Sequence, residues 1–280
     1  MSKITILTIT THTQYRDMQA EALKLQTFQD FEWIVVDDFV ERNNTALREA
    51  VNNAFKLIHI PPVKIVPYYA ACMASNTGLI HASGELIYFM SDYILPQKNC
   101  LEQHWNTHQK YPGHFVSGLA FTSTKGEEGG ILNLEDIKDA KDERNSELLF
   151  SGKYGYRKLE EGIFLFDRSA VRAWWAGKND SVSLKALIDV NGFEERLDGA
   201  RQDADANLAE RLYNYGLRYI LDNHSAVIEL SHMGAGKESH PNPELKRKLL
   251  NDAVFQNIYL ATHERNLQEE RNQCPTIEGS

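Results

Sequence analysis

Residues 84–96 read Gly-Glu-Leu-Ile-Tyr-Phe-Met-Ser-Asp-Tyr-Ile-Leu-Pro. The run Leu86–Met90 is apolar throughout, which predicts a short strand buried on both faces. The strand ends at Ser91 and Asp92, and Pro96 argues against further pairing in a central strand. Open α/β sheets bind ligands at the carboxyl ends of their strands, so Asp92 stands where a metal, a sugar or a phosphate can be bound. Taken alone, Asp92 is more typical of a turn.

The beginning of the chain predicts a strand, a helix and a second strand. Ile4–Thr10 is rich in β-branched residues, and residues 15–26 carry apolar side chains at roughly helical spacing. Phe31–Val36 is a second, nearly continuous apolar run, and it leads directly into Asp37 and Asp38. This order predicts a parallel sheet with carboxylates at the end of its second strand.

The rest of the chain continues the alternation of helices and short strands. Helices are predicted over residues 43–55, 69–81, 100–110 and 204–215, and strands over residues 57–60, 114–117, 119–122, 163–166, 218–221 and 226–230. We therefore expect an α/β fold with a single domain over residues 1–235 and a C-terminal helical extension over residues 236–280.

Composition excludes several classes of protein. The chain has 280 residues, of which 42% are hydrophobic and 25% charged, an ordinary globular composition that can form a sizeable core. The net charge of −9 argues against general nucleic-acid binding, which usually shows a basic footprint. No apolar run reaches the length of a transmembrane segment and the first residues lack a signal-peptide core, so we expect a cytoplasmic location. The three cysteines lack the paired spacing of a zinc site.

Four parts of the sequence carry motifs in a fixed order: Thr5–Thr10; Gln26-Thr27 with Phe31-Glu32 and Val35–Asp38; Asn76–Asp92 with Pro96; and Gly192–Glu195 with Gln202–Asp205 and Arg211. In this order they resemble the motifs of family 2 glycosyltransferases of the GT-A fold, which transfer a sugar from a nucleotide sugar to an acceptor. The resemblance spans about residues 4–232 and implies a mixed, mostly parallel central sheet flanked by helices. It also implies that residues 1–112 bind the nucleotide sugar and residues 113–235 the acceptor.

The sequence departs from the family pattern in three places. Met90 stands where the metal motif has its first Asp, so only Asp92 remains of the two acids. Ser75 stands where an Arg is common, and Phe39-Val40 replaces a Gly-Ser pair. These differences bear on metal affinity and donor identity more than on the fold.

The resemblance implies a role for each matching polar residue. Asp203 corresponds to the general base, although an Asp at the start of a helix is also a good N-cap. The residues implied in nucleotide binding are Thr10, Asp37, Asp38, Asn76 and Ser91. Asp37 can instead be a structural acceptor, and Asn76 can serve helix packing.

The implied metal ligands are Asp92 and His232, on a divalent cation. Since imidazole suits Mn²⁺ better than Mg²⁺, we expect Mn²⁺. His232 can also be a loop histidine with no role.

The prediction is a metal-dependent, inverting glycosyltransferase. Its donor is expected to be a UDP-sugar, with dTDP- and GDP-sugars as alternatives, and its acceptor a hydroxyl of a glycan or lipid-linked saccharide. A homo-oligomer is compatible with the sequence. The alternative is a catalytically weak or inactive nucleotide-sugar-binding protein of the same fold, because the first metal-motif Asp is absent. A nucleotidyltransferase is disfavoured because residues 10–16 contain no glycine for a phosphate-binding loop.

Two further pairs of residues carry weaker signals. His104 and His108 have i, i+4 spacing, but no Glu follows His104 as a zinc hydrolase requires, so a solvated helix face is expected. Trp174 and Trp175 can stack on a sugar, but a place in the core is the simpler expectation.

Overall fold

The computed structural model describes residues 2–11, 14–122, 153–174, 177–199, 204–230 and 259–274. Its strands are β1 (Ile4–Thr10), β2 (Phe31–Asp37), β3 (Lys56–Ile60), β4 (Leu86–Met90), β5 (Ile94–Pro96), β6 (His114–Thr122), β7 (Tyr156–Glu160), β8 (Ile163–Phe166), β9 (Lys178–Ser183) and β10 (Arg218–Glu229). The helices are α1 (Arg16–Lys24), α2 (Val40–Val51), α3 (Ala71–His81), α4 (Cys100–Lys110), α5 (Leu184–Asp189), α6 (Ala204–Tyr215) and α7 (Leu267–Gln273), with short 3₁₀ helices at Arg168–Ala173 and Glu195–Leu197.

The ten strands form one mixed sheet in the order β3-β2-β1-β4-β9-β6-β10-β8-β7, with β5 paired to β10. The pairs β1–β2, β1–β4 and β2–β3 are parallel, as the strand-helix-strand order predicts. The strand β9 runs antiparallel to both β4 and β6, while β6 and β10 are parallel. The predicted α/β fold with a mixed central sheet flanked by helices is confirmed.

Successive residues of the buried strands pack against two separate cores, one on each face of the sheet. Ile4 and Ile6 of β1 pack with α1, α2 and α4, whereas Leu7 packs with α3, α5 and α6. The same alternation holds in β4, where Tyr88 and Phe89 lie in opposite cores. Because both faces are covered, β4 is apolar at every position, and β1 places apolar side chains on both of its faces.

The start of β4 lies against β1 with no room for a side chain. A Cβ added at Gly84 would lie 2.4 Å from the backbone nitrogen of Thr5, so glycine is required for this close approach. The strand that follows β4 in the chain, β5, has three residues and ends at Pro96. It pairs with β10. The expectation that Pro96 does not continue a central strand agrees with this position.

The sequence pattern missed β9, which lies in the middle of the sheet. Its residues Lys-Asn-Asp-Ser-Val-Ser are mostly polar, yet its first five are buried. Asn179 explains why: its Oδ1 accepts hydrogen bonds from Tyr88 and Ser225, and its amide donates to the carbonyl of Leu119. A polar strand is therefore stable here because neighbouring elements satisfy its side chains.

The described part of the predicted C-terminal extension begins at residue 259 and contains the helix α7. Leu267 is fully buried, and the Arg271 guanidinium donates to the carbonyls of Leu79 and Ala82 at the end of α3. The helix thus docks on the domain, whereas residues 231–258 lie outside the described chain. Within the described ranges, none of the helices has the length and apolar character that a membrane span requires.

Candidate functional site

A cavity of about 330 Å³ lies at the carboxyl ends of β1, β2 and β4 and at the amino ends of α3 and α6. This is the position at which open α/β sheets bind their ligands. The charged residues among its described lining are Asp38, Lys64, Asp92, Lys178, Asp198 and Asp205. Of the residues predicted to bind nucleotide or metal, Thr10, Asp38, Ser91 and Asp92 all line this cavity.

Thr10 and Asp92 are joined directly. The Thr10 hydroxyl donates to Oδ2 of Asp92 at 2.6 Å, which links the end of β1 to the turn after β4. The amide of Gln19 in α1 donates to the carbonyl of Ser91 at 2.8 Å, and the Ser91 backbone N–H donates to the carbonyl of Gly177 at 2.6 Å. The carboxylate of Asp92 is therefore oriented by its neighbours before any ligand binds.

Asp37 lies outside the described lining of the cavity, and its side chain is fully buried. Its carboxylate contacts Arg16 at 2.9 Å, His59 at 3.0 Å and Asn43 at 3.0 Å. Burial opposes the charged form, but hydrogen bonds from His59 and Asn43 hold the pKa of Asp37 below its ordinary value. These contacts support a structural role for Asp37, and its nucleotide contact stays a prediction.

Asn76 is also outside the described lining of the cavity. Its amide nitrogen donates to the carbonyl of Phe193 at 2.9 Å and to Glu195 at 2.8 Å, and its oxygen accepts from the backbone N–H of Phe193 at 2.7 Å. The side chain therefore ties α3 to the segment after α5. This bonding supports the alternative of helix packing, and the nucleotide contact of Asn76 stays a prediction.

Asp198 was not predicted from the sequence, yet it stands at the cavity wall beside the start of α3. Its carboxylate accepts the backbone N–H groups of Cys72 at 2.8 Å and Met73 at 3.0 Å. Burial raises the pKa of Asp198 to about 7, although these two hydrogen bonds act in the opposite direction. Because the contacts join residues more than a hundred positions apart, no local pattern could reveal them.

Lys178, the first residue of β9, is another charge at the cavity that was not predicted. Its Nζ donates to Oε2 of Glu229 at 2.7 Å, and both side chains are about nine-tenths buried, each being 7% exposed. Lys178 was missed because residues 178–183 are mostly polar, a composition that is more typical of a loop than of a central strand.

Asp203 and His232 lie outside the described residues. The two residues that follow Asp203, Ala204 and Asp205, line the cavity at the first turn of α6. In the described ranges, no group of three or more His, Cys, Asp or Glu side chains could hold a metal ion. Asp92 supplies one carboxylate at the cavity, which suits a hard cation whose remaining ligands come from substrate phosphates and water.

The expectation of a solvated face for His104 and His108 is wrong. His104 is fully buried, with Nδ1 at 2.6 Å from the Ser181 hydroxyl and Nε2 at 2.8 Å from Oδ1 of Asn179. Burial lowers the pKa of His104 to about 4 and that of His108 to about 3, so both are neutral at pH 7. The pair belongs to the polar network under β9. Trp174 lies in the core as expected, and Trp175 is outside the described residues.

No protein-family model matches the sequence, and no curated protein matches it significantly. Among solved structures, TarS residues 1–349 of S. aureus in complex with UDP-GlcNAc has a TM-score of 0.62 and 14% identity, covering 97% of this chain and 71% of that one. The same fragment in complex with UDP has a TM-score of 0.58 and 15% identity, covering 82% and 60% of the two chains.

Two further structures of similar fold come from other proteins. The mannosyltransferase PcManGT from Pyrobaculum calidifontis, with GDP-Man and Mn²⁺, has a TM-score of 0.57 and 16% identity over 83% of this chain and 58% of that one. GalNAc-T7 with UDP, GalNAc and Mn²⁺ has a TM-score of 0.59 and 12% identity over 88% and 47%. This chain thus spans about 60% of the TarS fragment in its UDP complex and a smaller share of full TarS. At these identities the likeness shows the fold, and the chain has the GT-A fold of these glycosyltransferases.

Proposed function

We propose that this chain is a glycosyltransferase that moves a sugar from a nucleotide diphosphate sugar to a hydroxyl acceptor. The observation that carries the proposal is that Thr10, Ser91 and Asp92 line the same cavity as Ala204 and Asp205, the two residues that follow Asp203. Solved structures of the same fold hold UDP, UDP-GlcNAc or GDP-Man, which supports a nucleotide sugar as the donor.

The donor is assigned to the half formed by residues 1–112 and the acceptor to residues 113–235. Asp38 follows β2 at the cavity and is the candidate partner of the nucleotide base, with Thr10 beside it. We place a UDP-sugar first and dTDP- and GDP-sugars second. The acceptor class remains a glycan or a lipid-linked saccharide.

Asp203 is the proposed general base. Its carboxylate takes the proton of the acceptor hydroxyl as that oxygen attacks the anomeric carbon, and the bond from this carbon to the diphosphate oxygen breaks. A single displacement of this kind inverts the configuration of the sugar. A positioned general base typically accelerates such a step by about 10²–10⁴-fold.

A divalent cation, Mn²⁺ before Mg²⁺, is the proposed cofactor, and it would neutralise the negative charge that develops on the leaving diphosphate. Asp92 would hold it, with His232 as a second ligand. Asp92 would bind from the position that its bond with Thr10 fixes. Mn²⁺ in the PcManGT and GalNAc-T7 structures supports this part of the proposal.

A thermal-shift screen tests the proposed function. UDP-, dTDP- and GDP-sugars are added with and without Mn²⁺, and a ligand at 100 times its dissociation constant should stabilise the chain by about 2.7 kcal/mol. Asp203→Asn should retain this shift and lose release of nucleoside diphosphate in the presence of an acceptor panel. Binding without turnover in the wild type would favour the catalytically inactive binding protein, for which Met90 in the metal motif is the supporting observation. No shift with any of the donors would reject both functions.

A further inference from the structure

The ion pair between Lys178 and Glu229 lies at the wall of the cavity but is not used by the proposed reaction. Lys178 lines the cavity, whereas Glu229 is outside its described lining. Both side chains are almost fully buried. A buried ion pair often adds little net stability, because the cost of removing two charges from water offsets their attraction. Stability alone therefore does not account for this ion pair.

The strand β9 fixes Lys178 beside the end of β4. Lys178 is the register partner of Met90, and the Ser91 backbone bond to Gly177 holds the adjacent residues together. The Nζ of Lys178 lies 5.8 Å from the centroid of the Tyr93 ring, which also lines the cavity. The ammonium is thus held next to residues 90–93, the turn that carries Asp92.

The charges of the cavity make a fixed cation important for an anionic ligand. Four of the six charged residues in the described lining are aspartates, and the two cations are Lys64 and Lys178. Lys64 is exposed, whereas Lys178 is buried and held in place by Glu229. A lysine ammonium binds phosphate as a compact point charge, and a buried one is less screened by salt than an exposed one.

We propose that Lys178 is a donor-binding residue whose ammonium contacts the diphosphate of the nucleotide sugar, with Glu229 as the residue that positions it. The inference rests on the proposed function, since it concerns the same cavity and the same donor. In this proposal Lys178 supplies a positive charge from the protein itself at the diphosphate. That charge lies beside position 90, where Met replaces the first acid of the metal motif.

The test measures dissociation constants for UDP and for uridine by calorimetry in EDTA, so that no divalent cation contributes. Lys178→Met/Glu229→Gln and Lys178→Met/Glu229→Met remove both charges together and leave no unpaired buried ion. Replacing a buried ion pair with apolar side chains is often neutral for stability, so a folded variant is expected. We expect the dissociation constant for UDP to rise by about 10- to 100-fold relative to that for uridine, the range of a charge-assisted hydrogen bond.

The ratio of the two constants separates recognition of the diphosphate from a general disturbance of the site, which weakens UDP and uridine alike. An unchanged ratio overturns the role of Lys178 and leaves the proposed function standing. Failure of the wild type to bind UDP in EDTA, with binding restored by Mn²⁺, overturns the role of Lys178 alone. Failure to bind UDP, dTDP or GDP both in EDTA and with Mn²⁺ overturns both.

A second measurement uses the wild type and requires no folded variant. Acylation of Lys178 by an amine-reactive reagent is followed by mass spectrometry in EDTA. UDP should slow the labelling of Lys178 more than uridine does at equal site occupancy. Equal protection by the two ligands contradicts the proposal, and so does an absence of labelling at Lys178 in the unliganded chain.

Discussion

Thr10 and Asp92 are 82 positions apart in the chain, and the Thr10 hydroxyl donates to the Asp92 carboxylate at 2.6 Å. The contact follows from topology, because β1 and β4 are parallel neighbours that end at the same edge of the sheet. Thr10 carries no charge that could attract a cation or a phosphate. Its effect on the proposed site is therefore to orient the carboxylate of Asp92.

Thr10→Val removes this hydroxyl while retaining the shape of the side chain. We expect UDP binding in the presence of Mn²⁺ to weaken about 5- to 10-fold, since a hydrogen bond to a charged group contributes roughly 1.5–3 kcal/mol and part of it is recovered by relaxation. Calorimetric titration measures the change. Thr8→Val is the matched control on β1, because the Thr8 hydroxyl accepts a hydrogen bond from Trp33 of β2 and Thr8 is outside the described lining of the cavity. Equal weakening by the two variants would reject the special role of Thr10.

Asn179 is the centre of the polar network under the middle of the sheet. Asn179→Ala should leave several buried partners unsatisfied, including the Tyr88 hydroxyl and one nitrogen of His104. We expect a loss of roughly 3 kcal/mol in the free energy of unfolding, and a melting temperature lower by about 6–12 °C. Asn214→Ala is the control, since Asn214 is exposed and bonds only at the surface to Arg168. A shift of under about 2 °C in the Asn179 variant would show that the network is dispensable.

Asp198 should make stability fall as the pH rises toward neutrality. Its pKa is about 7 in the folded chain because of burial, against 3.8 for an ordinary aspartate. Between these values the folded chain keeps a proton that the unfolded chain has released, so the free energy of unfolding decreases as pH rises through this window. Above about pH 7 both states are ionised and the contribution of Asp198 no longer changes.

Urea unfolding at intervals between pH 5 and pH 8 measures this dependence. Asp198→Asn should reduce this slope, since an amide does not titrate and its oxygen can still accept a backbone N–H of α3. A slope of the same sign remains from Asp180, because burial raises the pKa of Asp180 to about 8. Asp189→Asn is the control: hydrogen bonds from Lys185 and Tyr215 outweigh burial and lower the pKa of Asp189, so its titration lies below the window. A slope in Asp198→Asn as steep as that of the wild type would contradict the role of Asp198.

The N-terminal part of the sheet could be predicted because its signals are local. The apolar runs at residues 31–36 and 86–90 and the carboxylates that follow them are adjacent in the sequence. Parallel pairing then places Asp38 and Asp92 at the same end of the sheet, where the strands have their carboxyl ends, and no further information is needed to predict this. The helix Cys100–Lys110 was predicted with its observed bounds for the same reason.

The remaining parts of the site depend on contacts between distant segments. The strand β9 has too few apolar residues to be predicted, and it is stabilised by Asn179 and its partners from four other elements. The buried state of Asp37 follows from Arg16 and His59, which lie on either side of it in the sequence. Asp198 and Lys178 acquire their positions at the cavity in the same way, and a single sequence does not show such pairings.

The central claim is that the cavity binds a nucleotide diphosphate through Asp92. Calorimetric titration of UDP with Mn²⁺ into the wild type and into Asp92→Asn tests it most directly. The account predicts one-to-one binding by the wild type and an affinity at least about 10-fold lower in the variant, with the melting temperature of the unliganded chain little changed. Equal affinity for UDP with Mn²⁺ in the two proteins would contradict it.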